Sequence, residues 1–154
     1  MKKPKIIVIT GTPATGKTTL AKQIAKKERA THLEVNELIK KEHLFHTYDR
    51  SLRTRLVDIE KIIARLIQIV KEYRKRKESL VIDSHLAHHL PPKYVDQCIV
   101  TKCGLNTLKK RLEKRNYPKK KVRENLDAEI FDVCLMEAIE NRHRKIKIVD
   151  TTKK

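Results

Sequence analysis

The sequence predicts an α/β fold in which a five-stranded parallel sheet is covered by helices on both faces. Three observations carry this. The strongest strand-like runs, at residues 5–10 and 80–83, are continuously apolar and β-branched, as in strands buried on both sides. The runs alternate with segments whose apolar residues recur every three or four positions, the pattern of a sheet with crossover helices. The first run leads through a glycine-containing turn straight into such a helix. With 154 residues, no internal repeat and no linker-like stretch, one domain spanning 1–154 is expected.

Residues 5–10 read Lys-Ile-Ile-Val-Ile-Thr and form the first strand, followed by a helix over 17–27 carrying Leu20, Ala21, Ile24 and Ala25. Residues 31–35 are a short second strand, and Asn36 is placed to cap a helix through Leu38 and Ile39. The segment 43–54 is polar and irregular. Leu56, Ile59, Ile62, Ile63, Leu66, Ile67 and Val70 then predict a long amphipathic helix, whose last turns, 71–77, hold five basic residues and one acid. Residues 80–83 give a third strand, and 97–101 a fourth, reached through a Pro91-Pro92 turn. Asn106 is a candidate cap for a helix containing Leu108 and Leu112, which Pro118 ends. A further helix carries Val122, Leu126, Ile130, Val133 and Met136, and residues 146–149 supply the last strand.

Lys and Arg number 37 against 19 Asp and Glu, a formal net charge of +18. Such an excess excludes an acidic calcium or solvating protein and directs attention to phosphate, whether on a nucleotide, RNA or an anionic lipid. No apolar run approaches the ~20 residues of a spanning helix, and the apolar stretch after Met-Lys-Lys-Pro is short, so a cytoplasmic protein without a membrane partner is expected. Cys98, Cys103 and Cys134 are odd in number and form no Cys-x-x-Cys pair, which argues for reduced thiols, with Cys98 and Cys134 as small core residues. Aromatic residues at 4% are too few for a base-stacking sheet.

Residues 11–18 read Gly-Thr-Pro-Ala-Thr-Gly-Lys-Thr, matching Gly, four residues, Gly, Lys, Ser or Thr. Gly11 and Gly16 let the backbone curl so that successive N–H groups point inward at phosphate oxygens, with Thr12, Pro13, Ala14, Thr15, Lys17, Thr18 and Thr19 as candidate nucleotide-binding residues beside them. The following helix adds the positive end of its dipole, Lys17 a full charge, and the Thr18 hydroxyl a ligand for Mg²⁺. The motif follows the strongest strand and precedes a helix, as that chemistry requires.

A magnesium–nucleotide site also needs a carboxylate opposite the loop, and Asp83 ends a buried strand. His85 is placed to orient a water or the metal's shell. His88 and His89 are read as solvated loop histidines, since no Cys or His spacing supports a metal cluster with His85. Arg111 and Arg115, four apart, share a helix face before the turn at 116–118 and are candidate lid cations for phosphoryl transfer.

Together these residues resemble a family. The Ile-Thr-Gly-Thr-Pro-x-x-Gly-Lys-Thr-Thr-Leu opening, the Val-Ile-Asp-Ser-His at 81–85, and the run Asn106, Leu112, Arg115, Tyr117, Asn125, Glu129 are similar to the small nuclear and archaeal adenylate kinases. These are P-loop nucleoside monophosphate kinases with a short lid, some of which also act as ATPases in maturation of the small ribosomal subunit. The resemblance implies a three-layer α/β/α kinase with a short helical lid at about 111–123 and an acceptor segment at about 35–58. It implies ATP as donor with Mg²⁺ at Thr18 and Asp83, catalysis by Lys17, Asp83, His85, Arg111 and Arg115, and AMP held by Asn36, Lys40, Arg50 and Arg53. Three departures bear on it, one being that residues 49–55, Asp-Arg-Ser-Leu-Arg-Thr-Arg, are more basic than the family's acceptor segment, so that these arginines either take over acceptor binding or face a polyanion. Ala14 replaces a frequent third glycine, and Lys40 stands where an arginine is frequent, which keeps the charge but loses the bidentate fork.

Between residues 109 and 123 there are nine basic residues and one acid, and 142–147 adds four more cations, a surplus over what a nucleotide engages. That surplus argues for a large anionic partner, which the resemblance implies to be small-subunit rRNA with a ribosomal protein, bound by a monomer or weak oligomer. Alternatives are a P-loop kinase of another nucleotide or small metabolite, and an ATP-switched assembly factor without kinase turnover.

Overall fold

In the computed structural model, which describes residues 3–153, the apolar side chains of β1 (Ile6–Gly11) serve two cores at once. Ile6 and Val8 face one side with Leu80, Ile82, Cys98 and Val100, while Ile7 and Ile9 face the other with Val81 and Ile99. A strand buried on both faces needs apolar residues at every position, which is why these runs show no alternation.

The sheet has the order β2-β5-β1-β6-β7. It comprises β2 (Thr31–Glu34), β5 (Leu80–Asp83), β1, β6 (Gln97–Lys102) and β7 (Ile146–Asp150), all paired in parallel. One face packs on α1 (Lys17–Glu28) through Leu20, Ala21 and Ala25. The other packs on α2 (Val35–Glu42), α3 (Ile59–Lys75) and α6 (Val133–Glu140) through Leu38, Ile39, Ile62, Leu66 and Ala138. A third apolar cluster joins α4 (Leu105–Lys114) to α5 (Lys119–Ile130) through Leu108, Leu112 and Val122. The register Ile9↔Asp83 sets Asp83 beside the point where β1 enters its loop, at the carboxyl edge where open parallel sheets bind ligands.

Several local expectations are corrected. Residues 45–57 are not irregular: β3 (Phe45–Asp49) and β4 (Thr54–Val57) form an antiparallel hairpin, invisible as a strand pattern because it is mostly exposed and polar. Leu56 belongs to β4, so α3 starts only after Asp58, whose carboxylate accepts from Lys61 N at 3.4 Å. Glu34 and Gly104, not Asn36 and Asn106, precede α2 and α4. The helix expected over 122–136 is divided into α5 and α6 by Asp132 at φ 51°, because the apolar periodicity runs on through the break. The three cysteines are free, Cys98 in the core but Cys134 half-buried and facing a cleft. Among the described residues no helix is long and apolar enough to cross a membrane.

Candidate active site

The loop between β1 and α1 takes its shape from two glycines for different reasons. At Gly11 (φ 145°) a Cβ would lie 2.1 Å from Thr101 Oγ1, so only glycine lets this backbone pass β6. Gly16 sits at φ 86° immediately before α1. Ala14 holds φ 70°, a conformation costing a residue with a side chain about 1–2 kcal/mol. Its methyl is buried with Cys103, Leu108, Leu112 and Val122, which offsets the strain. Thr15 turns inward, its hydroxyl 2.6 Å from both Thr12 O and Thr101 Oγ1. Thr12, Pro13, Ala14, Gly16, Lys17, Thr18 and Thr19 line the cleft.

Lys17 Nζ folds back to donate to the carbonyls of Gly11 and Thr12, both at 3.0 Å. Burial pulls its pKa down to about 8, against the pull of the neighbouring Cys134 and Asp83. Thr18 Oγ1 donates to Asp83 Oδ2 at 2.7 Å, and the same oxygen lies 3.1 Å from His32 Nε2. No sequence motif marks His32; its place follows from the β2–β5 pairing, which sets these strands side by side. His85 lines the cleft, where burial first and the Lys17 charge second push its pKa down to about 3, leaving a neutral imidazole.

Facing the loop across a cleft of about 730 Å³ are the hairpin residues Leu52, Arg53, Thr54 and Arg55 and the lid residues Arg115, Tyr117, Lys121 and Asn125. The hairpin touches the α4–α5 segment: Arg53 Nη1 donates to Asn116 O at 2.8 Å and Lys121 Nζ to Arg53 O at 3.2 Å. Lys121 Nζ also sits 3.9 Å above the Tyr117 ring, whose hydroxyl accepts from Arg115 Nη1 at 3.3 Å. Burial lowers the Lys121 pKa. Sequence reasoning missed Lys121 within a basic run.

Asn36 lines the cleft, whereas Lys40 and Arg50 are exposed and not among the residues that line it. Arg111 is not among the residues that line the cleft. It lies against the loop at Gly16, donating through Nη2 to Thr151 O at 2.7 Å and through Nη1 to Cys103 Sγ at 3.4 Å. His88 is not solvated but 1% exposed, with Nδ1 2.6 Å from Thr10 Oγ1 and Nε2 2.8 Å from Glu137 Oε1. Glu129, present in the resemblance but without an assigned task, is buried under the loop and accepts from Thr12 Oγ1 at 2.9 Å and Cys103 N at 2.7 Å.

A family model described as "AAA domain" matches residues 7–132. The chain is 37% identical over 146 residues to a "Putative adenylate kinase" of Methanocaldococcus jannaschii, covering 95% of this chain and 76% of the relative. The chain belongs to this P-loop nucleotide-kinase family. An "Adenylate kinase isoenzyme 6 homolog" of Schizosaccharomyces pombe is 34% identical, covering 92% of this chain and 78% of that one. Two solved kinases share the fold at low identity. A gluconokinase from Sinorhizobium meliloti has a TM-score of 0.58 at 17% identity, covering 100% of this chain and 86% of its own. A sugar kinase from Janibacter has a TM-score of 0.62 at 16%, covering 96% and 86%.

Proposed function

We propose that this kinase transfers the γ-phosphoryl group of ATP to AMP, giving two ADP, and hydrolyses ATP when water takes the acceptor's place. One observation supports this above the rest: a single cleft has the phosphate loop on one wall and Arg53, Arg55, Arg115 and Lys121 on the other. Cations of the loop, the hairpin and the α4–α5 segment thus share one cleft, as in-line transfer between two nucleotides needs. The names of the relatives favour AMP as acceptor.

Phosphoryl transfer needs positioning and charge stabilisation more than covalent chemistry. The loop N–H groups and the α1 dipole hold the donor phosphates, and Lys17 exchanges the Gly11 and Thr12 carbonyls for phosphate oxygens. Thr18 Oγ1 and Asp83 Oδ2, hard oxygens 2.7 Å apart at the loop, fit Mg²⁺ and would hold it. That ion would supply charge neutralisation across the donor phosphates. Arg53 and Arg55 are placed for the acceptor phosphate, while Arg115 and Lys121 cover the transferring group. The AMP phosphate oxygen is already ionised, so its attack on the γ-phosphorus, with departure of ADP, needs no general base. A neutral His85 can orient a water or a phosphate oxygen without adding charge.

A coupled assay for ADP tests the proposal. AMP-dependent turnover is expected, falling about 100-fold or more in Lys17→Ala; no AMP-dependent turnover, or a Lys17→Ala variant as fast as wild type, refutes it.

A second reading, in which ATP switches a factor bound to small-subunit rRNA and a ribosomal protein, is favoured by one feature. Lys109, Lys110, Lys114, Lys119, Lys120 and Arg123 are exposed and do not line the nucleotide cleft. rRNA affinity that falls steeply with salt is expected; a flat dependence leaves the enzyme alone.

A further inference from the structure

We propose that His88, His89 and Glu137 bind one zinc-class divalent ion at the edge of the cleft, at a site separate from the Thr18–Asp83 pair. The ligand atoms of these three residues all lie within 4.8 Å of one another. Glu137 Oε1 is 2.8 Å from His88 Nε2 and 3.8 Å from His89 Nε2. Donor atoms on a tetrahedral ion with bonds of about 2.0–2.1 Å stand about 3.3 Å apart, between these two separations. Small side-chain rotations therefore close the site around an ion, with no backbone movement.

The surroundings of His88 are those of an oriented ligand. Its ring is fixed by Thr10 Oγ1 at Nδ1, 2.6 Å away, and its carbonyl accepts from Asn141 Nδ2 and His143 Nε2, both at 2.8 Å. An imidazole that ligates a metal characteristically donates its other N–H to such a partner. When Nδ1 donates to Thr10 Oγ1, the Nε2 lone pair faces the Glu137 carboxylate and a cation can join them; in the other tautomer Nε2–H donates to Glu137 instead.

Donor chemistry selects the ion. Two imidazoles and a carboxylate suit Zn²⁺, Co²⁺ or Ni²⁺, whereas Mg²⁺ prefers oxygen ligands alone. His89 and Glu137 line the nucleotide cleft, so the position that three protein ligands leave open on a tetrahedral ion faces the nucleotide space.

The test uses the full chain freed of metal with a chelator, without nucleotide and near neutral pH, titrated with Co²⁺ by absorption and with Zn²⁺ by calorimetry. One equivalent with the intense visible bands of four-coordinate Co²⁺ is expected, undisturbed by excess Mg²⁺. His89→Ala and Glu137→Gln, both at half-exposed positions, should each weaken Zn²⁺ binding at least 10-fold while leaving the circular dichroism spectrum unchanged. Absence of saturable binding overturns the proposal and leaves a hydrogen-bonded Thr10–His88–Glu137 relay. Binding of equal affinity in both variants also overturns it and assigns the ion elsewhere, to a cysteine for instance.

Discussion

Glu129 accepts a hydrogen bond from the Thr12 hydroxyl at 2.9 Å across 117 positions of sequence, fastening α5 to the phosphate loop. Lys102 Nζ pairs with the same oxygen at 3.1 Å, and the other oxygen accepts from Cys103 N at 2.7 Å. A buried carboxylate with three donors holds the loop and the lid at a fixed separation. Replacing it with alanine strands the Cys103 N–H and removes one of the two carboxylates that pair with Lys102, Asp132 being the other. Glu129→Ala should lose about 2–3 kcal/mol in denaturant unfolding and raise the KM for ATP more than that for AMP. Glu129→Gln, which still accepts from Thr12, should fall between; a stable alanine variant with wild-type KM contradicts this role.

Arg111 and Arg115 should separate kinetically. Arg111 joins α4 to the chain after β7 through Thr151 O and reaches no cleft surface, so Arg111→Ala should act on stability, lowering Tm by several degrees. Arg115 lines the cleft with its side chain on Tyr117 Oη, and Arg115→Ala should lower kcat by about 100-fold with Tm little changed. The opposite pattern would return Arg111 to the reaction.

The Arg53–Asn116 and Lys121–Arg53 hydrogen bonds join the β3–β4 hairpin to the α4–α5 segment. Arg53 is exposed, so Arg53→Ala should change stability by no more than about 0.5 kcal/mol. Its loss removes both a cation for the acceptor and the link to the lid. The KM for AMP should therefore rise about 10-fold while the KM for ATP moves less. Initial-rate kinetics with each nucleotide varied would show it, and equal shifts in both would mean that Arg53 has no acceptor role.

What the sequence revealed follows from where each residue's environment is determined. β1 and β5 are buried on both faces, so their apolar runs announce strands, and the loop motif is legible because phosphate chemistry dictates residue types at fixed spacing. The β3–β4 hairpin has neither advantage: its strands are short, polar and mostly exposed. His88 was misread because its burial depends on Glu137, 49 residues away, and no local pattern records that pairing.

Lys17 gives the protein a pH signature with a definite sign. In the unfolded chain its ammonium keeps its proton to about 10.5, whereas in the folded protein burial brings the pKa to about 8. Between those values the unfolded state binds more protons, so this residue's contribution to stability rises with pH across that window. Below about 8 both states are charged and the cost of burying the ammonium is present in full. A bound triphosphate reverses the preference, because its negative charge draws the proton back onto Nζ. ATP binding above about pH 8 should therefore take up a proton, and affinity should decline as pH rises through this range. Calorimetry in buffers of different ionisation enthalpy measures that uptake directly. Lys17→Met should bind ATP more weakly and lose the uptake, whereas uptake equal to wild type would assign the proton to another group.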